Sequence, residues 1–250
     1  VREPALAAGG AAPAVRLRGS FAFAEGARPV LRDLDVELAR GELLGVVGPV
    51  ASGKSALAQA VVGELFPLRG ARVEAPGPGR IAYCSQTPWI FEGTLRENVA
   101  LGSLPEDRYF QALHATGLSR DLQSLPGGDQ VALGAHGVRL SGGQRARVAL
   151  ARAACAADVE VLVLDEPFAA LDACSAQEIL EQLLLGPLLR GRARVVVAPP
   201  RPELLRRFDR LLLLEEGRVV RDGPPEEVLA CTEFARLAAA VCGPEERGAG

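Results

Sequence analysis

The sequence predicts an α/β fold in which helices flank a mostly parallel β-sheet. Four short apolar runs have the composition of buried parallel strands, and helical stretches separate them. The runs are residues 43–47, 159–164, 195–198 and 211–214. A glycine-rich segment, residues 48–55, lies between the first run and a helical stretch. With 250 residues and 48% apolar content, the chain can bury one large core and a smaller subdomain.

Outside this sheet, the sequence predicts two subdomains and two terminal segments. Residues 15–24 and 34–38 alternate in the manner of strands, which predicts an antiparallel β subdomain ahead of the glycine-rich segment. From about residue 94 to 152 the pattern is helical, which predicts an inserted α-helical subdomain. Residues 1–14 and 243–250 are expected to be disordered, so that the folded domain spans 15–242.

The glycine-rich segment is a complete phosphate-binding loop of the form G-x-x-x-x-G-K-[ST]. Its glycines allow successive backbone N–H groups to point at an anion near a helix N-terminus. Lys54, the only lysine in the chain, supplies a compact charge for the β- and γ-phosphates, and the Ser55 hydroxyl is a ligand for Mg²⁺. A chance turn is the alternative, but the strand before the loop and the helix after it favour a P-loop NTPase core. The predicted binding residues are Gly48, Pro49, Val50, Ala51, Ser52, Gly53, Lys54 and Ser55.

Two acidic residues end the second apolar run, at the sheet edge where ligands bind in such folds. Asp165 is expected to hold Mg²⁺ together with Ser55. Glu166 is expected to be the catalytic residue, because it could polarise the water that attacks the γ-phosphate. The alternative is an acidic strand end that only faces solvent.

A third motif, residues 140–144, reads Leu-Ser-Gly-Gly-Gln and precedes a helix. It resembles the signature sequence of ABC-transporter ATPases. In this chain, Ser141, Gly142, Gly143 and Gln144 would then offer a second anion-binding surface. This resemblance implies ATP as the nucleotide and a head-to-tail dimer, in which each signature closes on the ATP held by a second nucleotide-binding domain. A glycine-rich helix cap is the alternative, but it does not explain the position of the motif about twenty residues before the acidic strand.

The resemblance covers residues 15–237 and includes three further positions. Gln86 matches the Q-loop glutamine that contacts Mg²⁺, and Asp172 matches the D-loop aspartate that crosses the dimer interface. Phe23 matches an aromatic that stacks on adenine, with a buried core phenylalanine as the alternative. Several segments resemble the ABCC, or multidrug-resistance-protein, branch of the family: residues 48–50, 85–91, 94–99 and 125–129.

The chain also departs from the family pattern. The family has a histidine after the strand at 195–197, where this chain reads Ala198-Pro199-Pro200-Arg201, and His114 and His136 both lie too early to replace it. Residues 131–137 lack the usual acids, which puts coupling to transmembrane segments in doubt. Ala51 replaces a usual glycine, a mild change if its φ is negative.

Composition excludes several classes of partner and compartment. A net charge of −3 and scattered arginines give no basis for binding nucleic acid. The five cysteines are odd in number and form no C-x-x-C, as expected of free thiols in a reducing compartment. No apolar run reaches the roughly 18 residues of a transmembrane helix, and no signal peptide is evident. The chain contains no methionine, so we expect a domain of a longer protein. The resemblance to ABC transporters implies a location at the cytoplasmic face of a plasma or organelle membrane.

Two hypotheses of function follow. In the first, the domain couples ATP binding and hydrolysis to export through the transmembrane domains of its parent transporter. In the second, it is a degenerate regulatory half that binds ATP and hydrolyses it slowly, because the histidine is missing. A soluble ABC ATPase of DNA repair or translation would need a long coiled coil or a tandem domain, and the sequence shows neither.

Overall fold

The computed structural model describes residues 12–102, 104–134, 137 and 140–241. They form two compact units. Unit 1 contains the described residues of Val1–Pro76 and Val195–Gly250, and unit 2 those of Gly77–Arg194. The ends predicted to be disordered fall outside the described residues, except for residues 12–14, of which Ala14 is buried and donates its N–H to the Leu38 carbonyl.

The strands are short and follow the apolar runs of the sequence. In chain order they are β1 (Val15–Ala22), β2 (Leu31–Leu38), β3 (Leu43–Val47), β4 (Phe66–Pro67), β5 (Arg72–Glu74), β6 (Ile81–Cys84), β7 (Val161–Asp165), β8 (Ala193–Val197), β9 (Arg210–Glu215) and β10 (Arg218–Gly223).

The helices lie between these strands and after the last one. They are α1 (Lys54–Val62), α2 (Leu95–Ala100), α3 (Glu106–Ala115), α4 (Leu118–Ser124), α5 (Gly142–Cys155), α6 (Ala173–Ile179), α7 (Pro202–Leu205), α8 (Pro225–Ala230) and α9 (Thr232–Val241). A π-helical turn at Leu180–Leu184 continues α6. Among the residues described, no helix is both long and apolar enough to cross a membrane.

Unit 1 contains an antiparallel sheet and three strands of a second, mostly parallel sheet. The antiparallel sheet has the order β2-β1-β4, with β5 also paired to β1. In the other sheet, β9 pairs with β3 in parallel and with β10 as an antiparallel hairpin. All five residues of β3 are buried, as expected of a strand covered on both faces. The last residue of this strand leads directly into the phosphate loop.

Unit 2 pairs β6 with β7 in parallel and inserts α2 to α5 between them in sequence. Two of these helices start with a capping box, in which a Ser or Thr side chain and a Glu or Gln three residues later bond each other's backbone N–H. Thr94 and Glu97 form the box of α2, and Ser141 and Gln144 that of α5. The prediction of an α/β core with an antiparallel β subdomain and an inserted helical subdomain is therefore confirmed.

Candidate nucleotide-binding and signature sites

The phosphate loop of unit 1 is shaped by glycines at both ends. A Cβ on Gly48 would lie 2.3 Å from the Leu214 carbonyl oxygen and 2.6 Å from Ser52 Oγ. Gly53, the N-cap of α1, has a φ of +104°, which side chains disfavour. Glycine is therefore required at both positions.

The interior of this loop has the chemistry of an anion site. Lys54 Nζ donates to the carbonyl oxygens of Gly48 (3.0 Å) and Pro49 (2.9 Å), so the loop curls around the ammonium group. Ser52 Oγ is buried and has no hydrogen-bond partner within the described part of the chain. Ser55 follows Lys54 in the first turn of α1 and is partly exposed. A cationic concavity with an unpaired hydroxyl fits a phosphate group.

Ala51 differs from the sequence-based expectation. Its φ is +63°, whereas alanine would be a mild replacement for the usual glycine only at a negative φ. A left-handed conformation costs a residue with a Cβ about 1–2 kcal/mol. The loop therefore holds Ala51 in a strained conformation, as occurs at functional sites.

Phe23 follows directly after β1 and is 61% exposed. The alternative that it is a core phenylalanine is therefore wrong. An exposed aromatic ring is available to stack on a planar ligand.

The acidic end of β7 meets the segment after β6 in unit 2. Because the two strands are parallel neighbours, with Cys84 opposite Leu164, their carboxyl ends lie together. Gln86 Nε2 donates to Glu166 Oε2 at 2.7 Å, although the two residues are far apart in sequence. Glu166 has a φ of +51°, a strained conformation for a residue with a long side chain.

Asp165 is the buried member of the acidic pair, at 4% exposure. The hydroxyl of Tyr83 lies 3.5 Å from Asp165 Oδ2, at the outer limit of a hydrogen bond. Asp165 and Gln86 belong to unit 2 and Ser55 to unit 1. Their joint binding of Mg²⁺ stays a prediction.

The signature residues form the start of α5, where Ser141 and Gly142 are exposed and Gly143 and Gln144 are partly exposed. Ser141 Oγ accepts from the Gln144 N–H (3.2 Å), and Gln144 Oε1 accepts from the Ser141 N–H (3.0 Å). Gly142 and Gly143 are the first two helical residues, and a Cβ on Gly143 would lie 3.3 Å from the Ala170 carbonyl oxygen. The capping box occupies the N–H groups of Ser141 and Gln144, and residues 142 and 143 have no side chains to cover their own N–H groups.

Asp172 is the exposed N-cap of α6. Its Oδ1 accepts from the Ser175 N–H (2.9 Å), and its Oδ2 accepts from the Ser175 hydroxyl (2.8 Å). These bonds stabilise the ionised carboxyl and hold the pKa of Asp172 below its usual value.

Two residues for which the sequence predicted no role organise this part of unit 2. Asn98 is fully buried and bonds the backbone N–H and carbonyl of Phe91. Arg152 of α5 donates to the Trp89 carbonyl (2.7 Å) and the Asn98 carbonyl (2.6 Å), and its guanidinium lies 5.0 Å from the centre of the Trp89 ring. The sequence signal was that Asn98 and Trp89 are each the only residue of their type.

No histidine follows β8 in the structure either. Ala198 is buried and donates its N–H to the Val46 carbonyl (3.0 Å), and Pro199 is partly exposed. His114 lies on α3, and His136 is outside the described residues.

The sequence was also compared with those of known proteins. Residues 31–169 match the ABC transporter family. The chain is 41% identical to ATP-binding cassette sub-family C member 3 of Homo sapiens over 209 residues, which are 82% of the chain and 13% of that protein. It is 42% identical to sub-family C member 10 of Homo sapiens over 216 residues, 86% of the chain and 14% of that protein.

A third relative is multidrug resistance protein mrp-7 of Caenorhabditis elegans, with 41% identity over 202 residues, 80% of the chain and 13% of that protein. The chain thus spans about one seventh of the length of these relatives. The residues that match the family include the phosphate loop, the signature turn and Glu166. The chain therefore belongs to the ABC transporter family, as an ATP-binding domain of the ABCC branch.

Proposed function

We propose that this domain binds MgATP and hydrolyses it to drive export through transmembrane domains of its parent protein. The observation that carries the proposal is the Glu166 carboxylate, which directly follows β7 and accepts a hydrogen bond from Gln86 Nε2 at 2.7 Å. A positioned carboxylate is what phosphoryl transfer needs to orient an attacking water. The location that follows is the cytoplasmic face of a plasma or organelle membrane. The domain itself would span residues 15–242, with its helical subdomain at about 94–152.

Each predicted residue has a role in this proposal. Lys54 and the N–H groups of the loop bind the phosphates, and Phe23 stacks on adenine. Ser55, Gln86 and Asp165 would hold Mg²⁺, which neutralises charge on the phosphate oxygens when bound. Glu166 accepts a hydrogen bond from the water and aligns it with the γ-phosphate.

The remaining residues act across a head-to-tail dimer. The exposed turn formed by residues 141–144 would close on ATP held by the second nucleotide-binding domain, and Asp172 would cross the interface. Residues 89–99 would meet the transmembrane domains. Trp89 is 59% exposed, as expected of a contact surface. We propose no role in binding nucleic acid.

A second candidate function is that of a degenerate regulatory half that binds ATP but hydrolyses it slowly. It is favoured by the segment after β8, where Ala198 is buried and the two prolines that follow carry no N–H. Without a histidine at this position, one contact to the γ-phosphate in the transition state is lost, whereas ground-state binding through the loop is retained.

A single-turnover assay with MgATP separates the two functions. Bound nucleotide and released phosphate are measured together for the wild type, Lys54→Ala and Glu166→Gln. Phosphate release that Glu166→Gln abolishes supports a working ATPase. Bound ATP that persists in the wild type and is lost in Lys54→Ala supports the regulatory function. Absence of ATP binding to the wild type contradicts both.

A gain-of-function variant tests the reason for slow turnover. Pro199 is the first residue after β8 that is not buried, so a histidine side chain at this position would have room outside the core. We expect Pro199→His to raise the single-turnover rate about tenfold or more, on the order of one restored transition-state hydrogen bond, with little change in ATP affinity. Pro200→His serves as the matched control. An equal rate in both variants and the wild type would argue against the missing histidine as the cause.

A further inference from the structure

Arg147, on the second turn of α5, binds two different parts of unit 2. Its Nη1 donates to Asp121 Oδ2 of α4 at 2.8 Å, and its Nη2 donates to Ser175 Oγ of α6 at 2.7 Å. The Arg147 and Asp121 side chains are 18% and 15% exposed, so solvent competes little for these bonds. A planar guanidinium can donate in two directions at once, which an ammonium at the same place cannot do with the same geometry.

Ser175 is hydrogen-bonded to both Arg147 and Asp172. Its hydroxyl accepts from Arg147 and donates to Asp172 Oδ2 at 2.8 Å, while its backbone N–H donates to Asp172 Oδ1 at 2.9 Å. Both carboxylate oxygens of Asp172 are thus bound by a single residue, and the hydroxyl of that residue is bound by Arg147. The carboxylate can rotate only if this set of bonds breaks.

The opposite end of the network reaches the signature turn. Asp121 Oδ1 lies 3.4 Å from Gln144 Nε2, and Gln144 Oε1 accepts from the Ser141 N–H. A continuous chain of hydrogen bonds therefore joins the N-cap of α5 to the N-cap of α6. Hydrogen bonds in such a chain strengthen one another, because each bond polarises the groups that make the next.

We propose that Arg147 and Ser175 are positioning residues that hold the Asp172 carboxylate in a defined place relative to the signature turn. This inference rests on the proposed function, in which Asp172 and the signature turn meet the same partner domain. Neither Arg147 nor Ser175 needs to touch nucleotide. Their effect is to present the two contact points as one preformed surface, which lowers the entropy lost on dimer formation.

The network itself is tested without nucleotide. Hydrogen exchange is measured in peptides that cover residues 172–176 in the wild type, Ser175→Ala, Ser175→Thr and Arg147→Lys. We expect Ser175→Ala and Arg147→Lys to exchange about three- to tenfold faster, the effect of losing one net hydrogen bond. Ser175→Thr retains the hydroxyl and is expected to resemble the wild type. Equal exchange in all four proteins would overturn the proposal.

The positioning role is tested by a double-mutant cycle for ATP-dependent self-association. All proteins carry Glu166→Gln so that ATP is not consumed, and association is followed by sedimentation. We expect Ser175→Ala to weaken association about three- to tenfold, Ser175→Thr to restore it, and Ser175→Ala to add nothing in the presence of Asp172→Asn. Additive effects would overturn the positioning role, since Ser175 would then act on association by a route that does not pass through the Asp172 carboxylate.

The two experiments separate this inference from the proposed function. If the Glu166→Gln protein does not associate when ATP is added, the proposed dimer is contradicted, and with it the functional part of the inference. The exchange data, obtained without ATP, still decide whether Arg147 and Ser175 hold Asp172.

Discussion

Replacement of Ala51 tests the conformation of the phosphate loop most directly. The residue is exposed and has a φ of +63°, so Ala51→Gly removes strain and almost no packing. The strain is about 1–2 kcal/mol, and the greater freedom of glycine in the unfolded chain costs about 0.4–1 kcal/mol. We therefore expect Ala51→Gly to raise the free energy of unfolding by about 0.5–1 kcal/mol.

Calorimetry without nucleotide measures this difference as a rise in Tm of about 1–4 °C. Ala157→Gly is the matched control, because Ala157 is also exposed but is not among the residues with positive φ. The control is expected to lose about 0.4–1 kcal/mol. The two substitutions should therefore shift Tm in opposite directions. A similar loss of stability in both variants would refute a left-handed Ala51.

Two further predictions concern unit 2. Arg108 donates to the carbonyl oxygens of residues 154–156 at the end of α5, so Arg108→Met should lower the free energy of unfolding in urea by about 1.5–3 kcal/mol. Arg120→Met, which removes an exposed ion pair, should lower this free energy by less than about 1 kcal/mol. Equal losses in the two variants would contradict a stabilising role of Arg108 at the end of α5. Burial raises the pKa of the Cys84 thiol to about 12. Iodoacetamide at pH 8 should therefore modify the exposed Cys174 at least about 100-fold faster than Cys84, and mass spectrometry measures the two rates. Comparable rates would show that Cys84 is not buried.

The sheet could be predicted because its strands are local apolar runs. The bounds of β3 agree with the predicted strand at every residue. The start of β8 was placed too late because Arg194 interrupts the apolar pattern, yet this arginine is buried at 2% exposure and donates to the Leu184 carbonyl. A buried charge with its own hydrogen-bond acceptor is invisible to a hydrophobicity pattern.

The helical part of the domain was predicted only as a region. Its helices are short, and α2 and α4 have six and seven residues, so few turns exist from which to recognise a period. Their starts depend on single side chains, such as the capping boxes of Thr94 and Ser141. Such caps can be recognised in a sequence, but many similar patterns do not cap a helix.

The sequence by itself determined the family and the set of residues available for the chemistry, from the phosphate loop through Gln86 and the signature to Glu166. These motifs are local, and their meaning depends on residue type and spacing. Only the tertiary structure decided that Ala51 is left-handed, that Phe23 is exposed, and that Arg147 binds Ser175. The physical reason is that backbone strain, burial and hydrogen-bond partners depend on segments far apart in the chain, whose meeting is set by the order of strands and the packing of helices.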